Sequence, residues 1–157
     1  MGFGMRLIMQ IAFRIRRLFL RLFRVRTRGV KVMVFNRAGE LLLIRNSYGP
    51  SHLFLLPGGG IGRRESPDAA ARREVKEEVG LDLHELTQVS VHSSHAEGKR
   101  DTIALFTAVA DGAPRPDSLE VEEARFFALD SLPENISDAT LRRILERRGE
   151  RACDGRW

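Results

Sequence analysis

Residues 73–78 read Arg-Glu-Val-Lys-Glu-Glu. On a helix, Glu74, Glu77 and Glu78 are related by steps of three and four, so their carboxylates share one face. Ala71, Val75 and Val79 form the stripe that such a helix would bury. A solvated helix normally mixes signs at these spacings. Here Glu74 and Glu78 put like charges at i,i+4, at a cost of about a few tenths of a kcal/mol, which Arg73 relieves in part through Glu77. Such a set of acids becomes useful where it holds a divalent cation. Carboxylate oxygens are hard ligands that select Mg²⁺ or Mn²⁺, and Mg²⁺ takes its remaining ligands from water and substrate phosphates. Upstream, Gly58, Gly59 and Gly60 let the backbone turn sharply and approach a ligand closely. The loop then runs through Arg63, Arg64 and Glu65 toward the helix. Taken alone, the acidic helix also reads as a plain surface helix.

The spacing carries more. From Gly59 the chain runs glycine, five residues, Glu65, seven residues, then Arg73-Glu74-Val75-Lys76-Glu77-Glu78-Val79-Gly80-Leu81. This resembles the Nudix box, Gly-x5-Glu-x7-Arg-Glu-U-x-Glu-Glu-x-Gly-U with U an aliphatic residue, and every fixed position is matched. Gly62 stands where an acid is common in the family, and Arg64 where glycine is common. The flanks agree: a hairpin before Leu56-Pro57-Gly58-Gly59-Gly60, and Arg125-Phe126-Phe127 followed by Leu132-Pro133. The resemblance covers roughly residues 29–148.

The resemblance implies an α+β Nudix fold, a mixed β-sheet sandwiched between helices. It also implies a hydrolase dependent on Mg²⁺ or Mn²⁺ that cleaves the diphosphate of a nucleoside diphosphate linked to another moiety. By resemblance, Glu74, Glu77 and Glu78 are metal ligands, with the Gly58 carbonyl a further one. Arg73 orients a glutamate, and Glu65 supports the metal shell or buttresses the loop. Gly59 and Gly60 are expected against the substrate. Lys99 and Arg100, read from the sequence as lying in an exposed loop, either hold a phosphate or are merely solvated. The general base is Glu74 in the first instance, with Glu97, Glu120 and Glu122 behind it. His92 and His95 are expected at the surface. Phe54 and Tyr48 are expected to pack the core or anchor a loop rather than stack on a base. The alternative is a non-catalytic module that reads a nucleotide as a sensor, although a pure binder has no need of the like-charge cluster. No proline or tyrosine follows the box in the stretch Ala96-Glu97-Gly98-Lys99. A nucleotide sugar, a dinucleotide and a nucleoside triphosphate all remain open, as does a homodimer.

The elements that must position these residues are readable in part. Val30, Val32 and Val34 alternate with Lys31 and Met33, a strand pattern. Asn36-Arg37-Ala38-Gly39 reads as a turn into a second strand, Glu40–Arg45. Leu53–Leu56 is a short apolar strand. Ser66 and Pro67 open a helix, with serine as N-cap, proline at the first helical position and Asp68 in the first turn. Gly80 ends it. Strands are expected near Thr87–Ser93, Thr102–Ala110 and Ala124–Phe127. A last helix runs from Ser137 or Asp138 to about Arg148, and Cys153–Trp157 is expected to be a loose tail.

Charge divides the chain. The 157 residues carry 26 Lys+Arg and 21 Asp+Glu, for a net charge of +5. Residues 1–28 hold eight arginines and no acid, leaving the remainder with 18 basic and 21 acidic residues, mildly acidic. Within residues 6–26, Ile8, Ile11, Ile15, Leu18, Phe19 and Leu22 fall on one helical face, and Arg14, Arg17, Arg21, Arg24 and Arg28 on the opposite side. The expected organisation is a basic amphipathic N-terminal helix over 1–28 and a Nudix domain over 29–157. The uncharged run Leu7–Phe13 is far short of the roughly 20 residues a spanning helix needs. The helix is expected to lie on a membrane surface with its arginines toward anionic headgroups, or to pack its apolar face on the body of the protein or on a second subunit. Its wide apolar face disfavours nucleic acid. Liposome flotation of the full chain against one beginning at Gly29 separates these readings. The expected location is cytoplasmic, with a peripheral place at a membrane. A single cysteine, Cys153, excludes an intramolecular disulfide framework.

Overall fold

A computed structural model describes residues 27–47, 49, 51–94, 101–116 and 120–157. The amphipathic segment 6–26, Tyr48, His95, Glu97, Lys99 and Arg100 lie outside the described residues. Among the described residues the chain forms six strands and two helices: β1 (Thr27–Phe35), β2 (Leu41–Asn46), β3 (Phe54–Leu55), α1 (Pro67–Val79), β4 (Leu83–Ser94), β5 (Asp101–Ala110), β6 (Val121–Phe127) and α2 (Asp138–Arg147).

The strands make one mixed sheet in the order β3-β2-β1-β5-β4, with β6 paired to β2. The β1–β2 turn is built by Asn36, whose side-chain oxygen accepts from the backbone N–H groups of Ala38 and Glu40 at 3.0 and 2.9 Å. β1 then pairs with β5 in parallel along its whole length, from Thr27 opposite Asp101 to Phe35 opposite Val109. This partner is not its neighbour in sequence. α1 begins where Ser66 accepts from Ala69 N–H at 3.4 Å, and ends at Gly80, whose φ of 71° is left-handed. Both ends are as the cap chemistry requires.

Strand alternation divides the apolar residues between two cores. Val30, Val32, Val34, Leu42, Ile44, Ala104 and Phe106 pack with Ala70, Ala71, Val75 and Val79 of α1 on one face. Met33, Leu41, Leu43, Leu105, Phe54 and Phe127 pack with Ile144 of α2 on the other. A sheet with both faces apolar needs a layer on each, and the two helices supply them. Burying valines such as Val75 and Val79 contributes about 1.5–3 kcal/mol each, which presses α1 and its acidic face onto the sheet. No helix of the described residues is long and apolar enough to cross a membrane.

Three sequence expectations are corrected. Thr27 and Arg28 open β1, opposite Asp101 and Thr102, rather than ending the N-terminal helix expected over 1–28. His92 is fully buried rather than at the surface. Its Nδ1 accepts from the Arg143 guanidinium, which can only donate. The remaining ring proton therefore sits on Nε2, 2.7 Å from Ser90 Oγ. Burial, and then Arg143, hold the His92 pKa below its ordinary value. The tail is not loose either. Trp157 N–H donates to Ser93 C=O at 3.0 Å and Ser93 N–H to Gly155 C=O at 2.8 Å, so the tail covers the end of β4. Arg143 closes this corner with bonds to Glu146 at 2.6 Å and to the Arg156 carbonyl at 2.7 Å. Phe54 packs in the core, as expected, with its ring edge-on to Phe127 at 5.1 Å between centroids.

Candidate active site

The glycine turn is moored along β1. Val30 N–H donates to Gly59 C=O at 2.9 Å, Val32 N–H to Pro57 C=O at 3.0 Å and Ile61 N–H to Arg28 C=O at 2.9 Å. Two of the glycines are needed for different reasons. Gly58 has a φ of 128°, and a Cβ there would lie 2.3 Å from the Val30 carbonyl oxygen. At Gly59 a Cβ would lie 2.5–2.7 Å from the carboxylate of Glu74. The missing side chain at position 59 is thus the space that lets this carboxylate rest on the turn.

α1 delivers its acids to the same place. Glu78 accepts a hydrogen bond from Gly58 N–H at 2.8 Å. Glu74 lies against Gly59, with its side chain only 16% exposed. Glu77, at 58%, stands on the solvent side. Burial is the largest influence on Glu78 and raises its pKa to about 7, aided by Glu74 and Glu120 and opposed by Lys31 and the Gly58 N–H. Carboxylates driven together against a backbone turn and partly desolvated form the donor set a hard divalent cation compensates, so these residues fit such an ion.

Arg73 organises the cluster. Its Nε and one terminal nitrogen form a fork onto Glu65 at 2.7 and 2.9 Å. The same terminal nitrogen donates to the Gly60 carbonyl at 3.0 Å, and the other to Glu74 at 2.8 Å and Glu77 at 3.1 Å. A guanidinium has five N–H donors, and all five are used within the protein. Arg73 is therefore committed to protein groups. Glu65 is its anchor: held by Arg73, and by Gly62 N–H at 2.7 Å, its pKa is lowered to about 2.

The structure thus brings together Gly58, Gly59, Gly60, Glu65, Arg73, Glu74 and Glu78, with Glu77 at the edge. Of the further candidates for the base, Glu120 is close enough to raise the Glu78 pKa, and Glu122 is drawn to Arg45 at 3.2 Å. Sequence reading missed Lys31, whose Nζ donates to the Leu56 and Gly58 carbonyls at 2.7 and 2.8 Å. The available signal was a lysine in the middle of a valine-rich strand. A second group, His92, Glu146 and Cys153, has three ligand atoms within 4.8 Å of one another. There the Arg143 guanidinium already bonds both His92 and Glu146, so a cation occupies the corner.

The two glycines separate stability from activity. Gly58→Ala is expected to lower stability by about 2–4 kcal/mol, because backbone cannot yield to the new Cβ. Gly59→Ala is expected to fold within about 1 kcal/mol of wild type, since a side-chain carboxylate can move aside, yet to lose activity as Glu74 leaves the turn. Thermal melting and turnover of the two variants check this. Equal effects on both properties would contradict it.

Comparison with known proteins places the chain among relatives of this architecture. The family model described as NUDIX domain matches residues 25–147. An uncharacterized Nudix hydrolase of Pseudomonas aeruginosa is 33% identical over 104 residues, 64% of this chain and 62% of that protein. An ADP-ribose pyrophosphatase of Methanocaldococcus jannaschii is 30% identical over 108 residues, 67% of this chain and 64% of that protein. The chain therefore spans under two-thirds of the length of these curated relatives. Among solved structures, the MutT NUDIX hydrolase from Burkholderia pseudomallei superposes with a TM-score of 0.68 at 31% identity, covering 78% of this chain and 97% of that one.

Proposed function

We propose, since this chain belongs to the Nudix hydrolase family and its relatives include an ADP-ribose pyrophosphatase, that it hydrolyses the diphosphate of a nucleoside diphosphate linked to a further moiety. The observation that carries the reading is the arginine-centred cluster. Arg73 spends all five donors on Glu65, Glu74, Glu77 and Gly60, while Glu78 is bonded to the turn itself. A purely binding module gains nothing from gathering like charges at this cost.

In this reading Glu74, Glu77, Glu78 and the Gly58 carbonyl hold Mg²⁺ or Mn²⁺. Such an ion, when bound, neutralises phosphate oxygens and acidifies a water. The protein's own work is positioning, as in phosphoryl transfer generally. Arg73 and Glu65 fix the carboxylates. Gly59 and Gly60 let the diphosphate approach the backbone. Glu74, resting on the turn, takes the proton of the attacking water, with Glu120 the second choice. Lys99 and Arg100 are proposed phosphate contacts on the strength of charge and sequence position. For residues 6–26 the membrane-surface role stays a proposal supported by the two faces of the segment, and flotation of the full chain against one beginning at Thr27, which keeps β1 whole, tests it.

The deciding experiment is a substrate panel of nucleotide sugars including ADP-ribose, dinucleotides, deoxynucleotides and triphosphates, with Mg²⁺ and Mn²⁺, read by product mass. Release of a nucleoside monophosphate or of phosphate from at least one member is expected. A uniformly inert panel would favour a nucleotide sensor.

A further inference from the structure

Lys31 stands outside the motif that carries the site. It lies in β1 between two fully buried valines, Val30 and Val32, at a register shared with Met33 and Phe35. Strand patterning asks for an apolar residue there. Its ammonium instead donates to the carbonyls of Leu56 and Gly58 at 2.7 and 2.8 Å. Burial pushes the lysine pKa down, and the charges of Glu78 and Glu74 push it back up. A cation is thus surrounded by two carbonyl oxygens and the field of two carboxylates. That oxygen-rich environment suits a hard divalent ion equally well, and the Gly58 carbonyl belongs to both.

We propose that Lys31 is the built-in counter-cation of this site: it holds the Gly58 carbonyl while no divalent ion is bound, and a divalent ion must displace it from that carbonyl to bind. The inference rests on the reading of Gly58, Glu74 and Glu78 as metal ligands. Lys31 is a positioning residue in this account. It keeps the glycine turn and the two acids together without metal, and its charge weakens metal binding by repulsion. Diphosphate oxygens entering the site supply the ammonium with a new acceptor, so metal and substrate are held more firmly together than metal alone.

The test is direct Mn²⁺ binding at neutral pH, followed by the electron paramagnetic resonance signal of free Mn²⁺. Wild type is compared with K31M, which removes the charge, and K31R, which retains it. K31M is expected to bind Mn²⁺ at least about ten-fold tighter, since relief of one close repulsion between a single and a double charge supplies no less than this even at the dielectric of water. K31R is expected to stay within about three-fold of wild type. Metal-free K31M should also melt lower than wild type and gain more from Mn²⁺. Should K31M not fold, K31Q keeps an N–H for the carbonyls without the charge and carries the same expectation. Unchanged or weaker Mn²⁺ binding by the neutral variant overturns the proposal alone. A wild-type protein that binds no Mn²⁺ overturns the ligand assignment and the proposal with it.

Discussion

Glu78→Gln is expected to lose roughly a hundred-fold or more of metal-dependent hydrolysis, the range that follows removal of one preorganised charge-stabilising group, while the metal-free protein becomes more stable at neutral pH. Both outcomes have one cause. The Glu78 carboxylate is held against the buried Gly58 N–H, and burial raises its pKa to about 7. Its folded value therefore lies above its unfolded one, and the folded state binds the proton more tightly. The associated stability is fully present below the unfolded pKa of about 4.5 and is lost as pH rises through about 7. The gap is worth roughly 3 kcal/mol as an order of magnitude. Glutamine carries no charge to desolvate and can still accept from Gly58. Metal-free wild type should thus lose about 5–10 °C of Tm relative to E78Q between acid and alkaline buffer. Mg²⁺ should restore stability to wild type and not to the variant. Near-full activity in E78Q would remove Glu78 from the site, and parallel pH profiles of Tm would contradict the burial account.

Arg73→Lys should lower kcat about 10–100-fold, in the range seen when an outer residue that orients metal ligands is lost, with KM for the substrate little changed. An ammonium has three donors and no fork, so it cannot span Glu65, Glu74, Glu77 and the Gly60 carbonyl together. The KM expectation follows because all five guanidinium donors are already taken by the protein. The stability cost should be small, about 1 kcal/mol, because the Arg73 side chain is 37% exposed and solvent screens such pairs. Steady-state kinetics and melting check both parts. A raised KM at unchanged kcat would mean that Arg73 touches the substrate after all.

How much of this was legible in the chain depended on how local each feature is. Ser66, Pro67 and Gly80 mark α1 because caps act within one turn. The steps of three and four that align Glu74, Glu77 and Glu78 are likewise a property of the helix alone. The same holds for the Asn36 turn, and for α2 opening at Ser137. His92 reads as a surface residue because it alternates with Val89 and Val91, but those valines face solvent and the burial of His92 comes from Arg143 and Trp157 at the far end of the chain. The tail reads as loose because its partner, Ser93 in β4, lies far earlier in the chain.

By itself, then, the sequence determined the helix that carries the acids, the glycines that precede it and the chemistry these residue types favour, because those follow from short-range geometry. The tertiary structure decided three further matters. It set Glu78 apart from Glu77 by burying one beside the Gly58 N–H and leaving the other on the solvent side. It turned Arg73 into the hub of the cluster by bringing Glu65 and Gly60 within reach. It gave Lys31 to the glycine turn across 25 to 27 residues of chain. The first and the third depend on β1 lying beside that turn, a contact formed only when the sheet assembles.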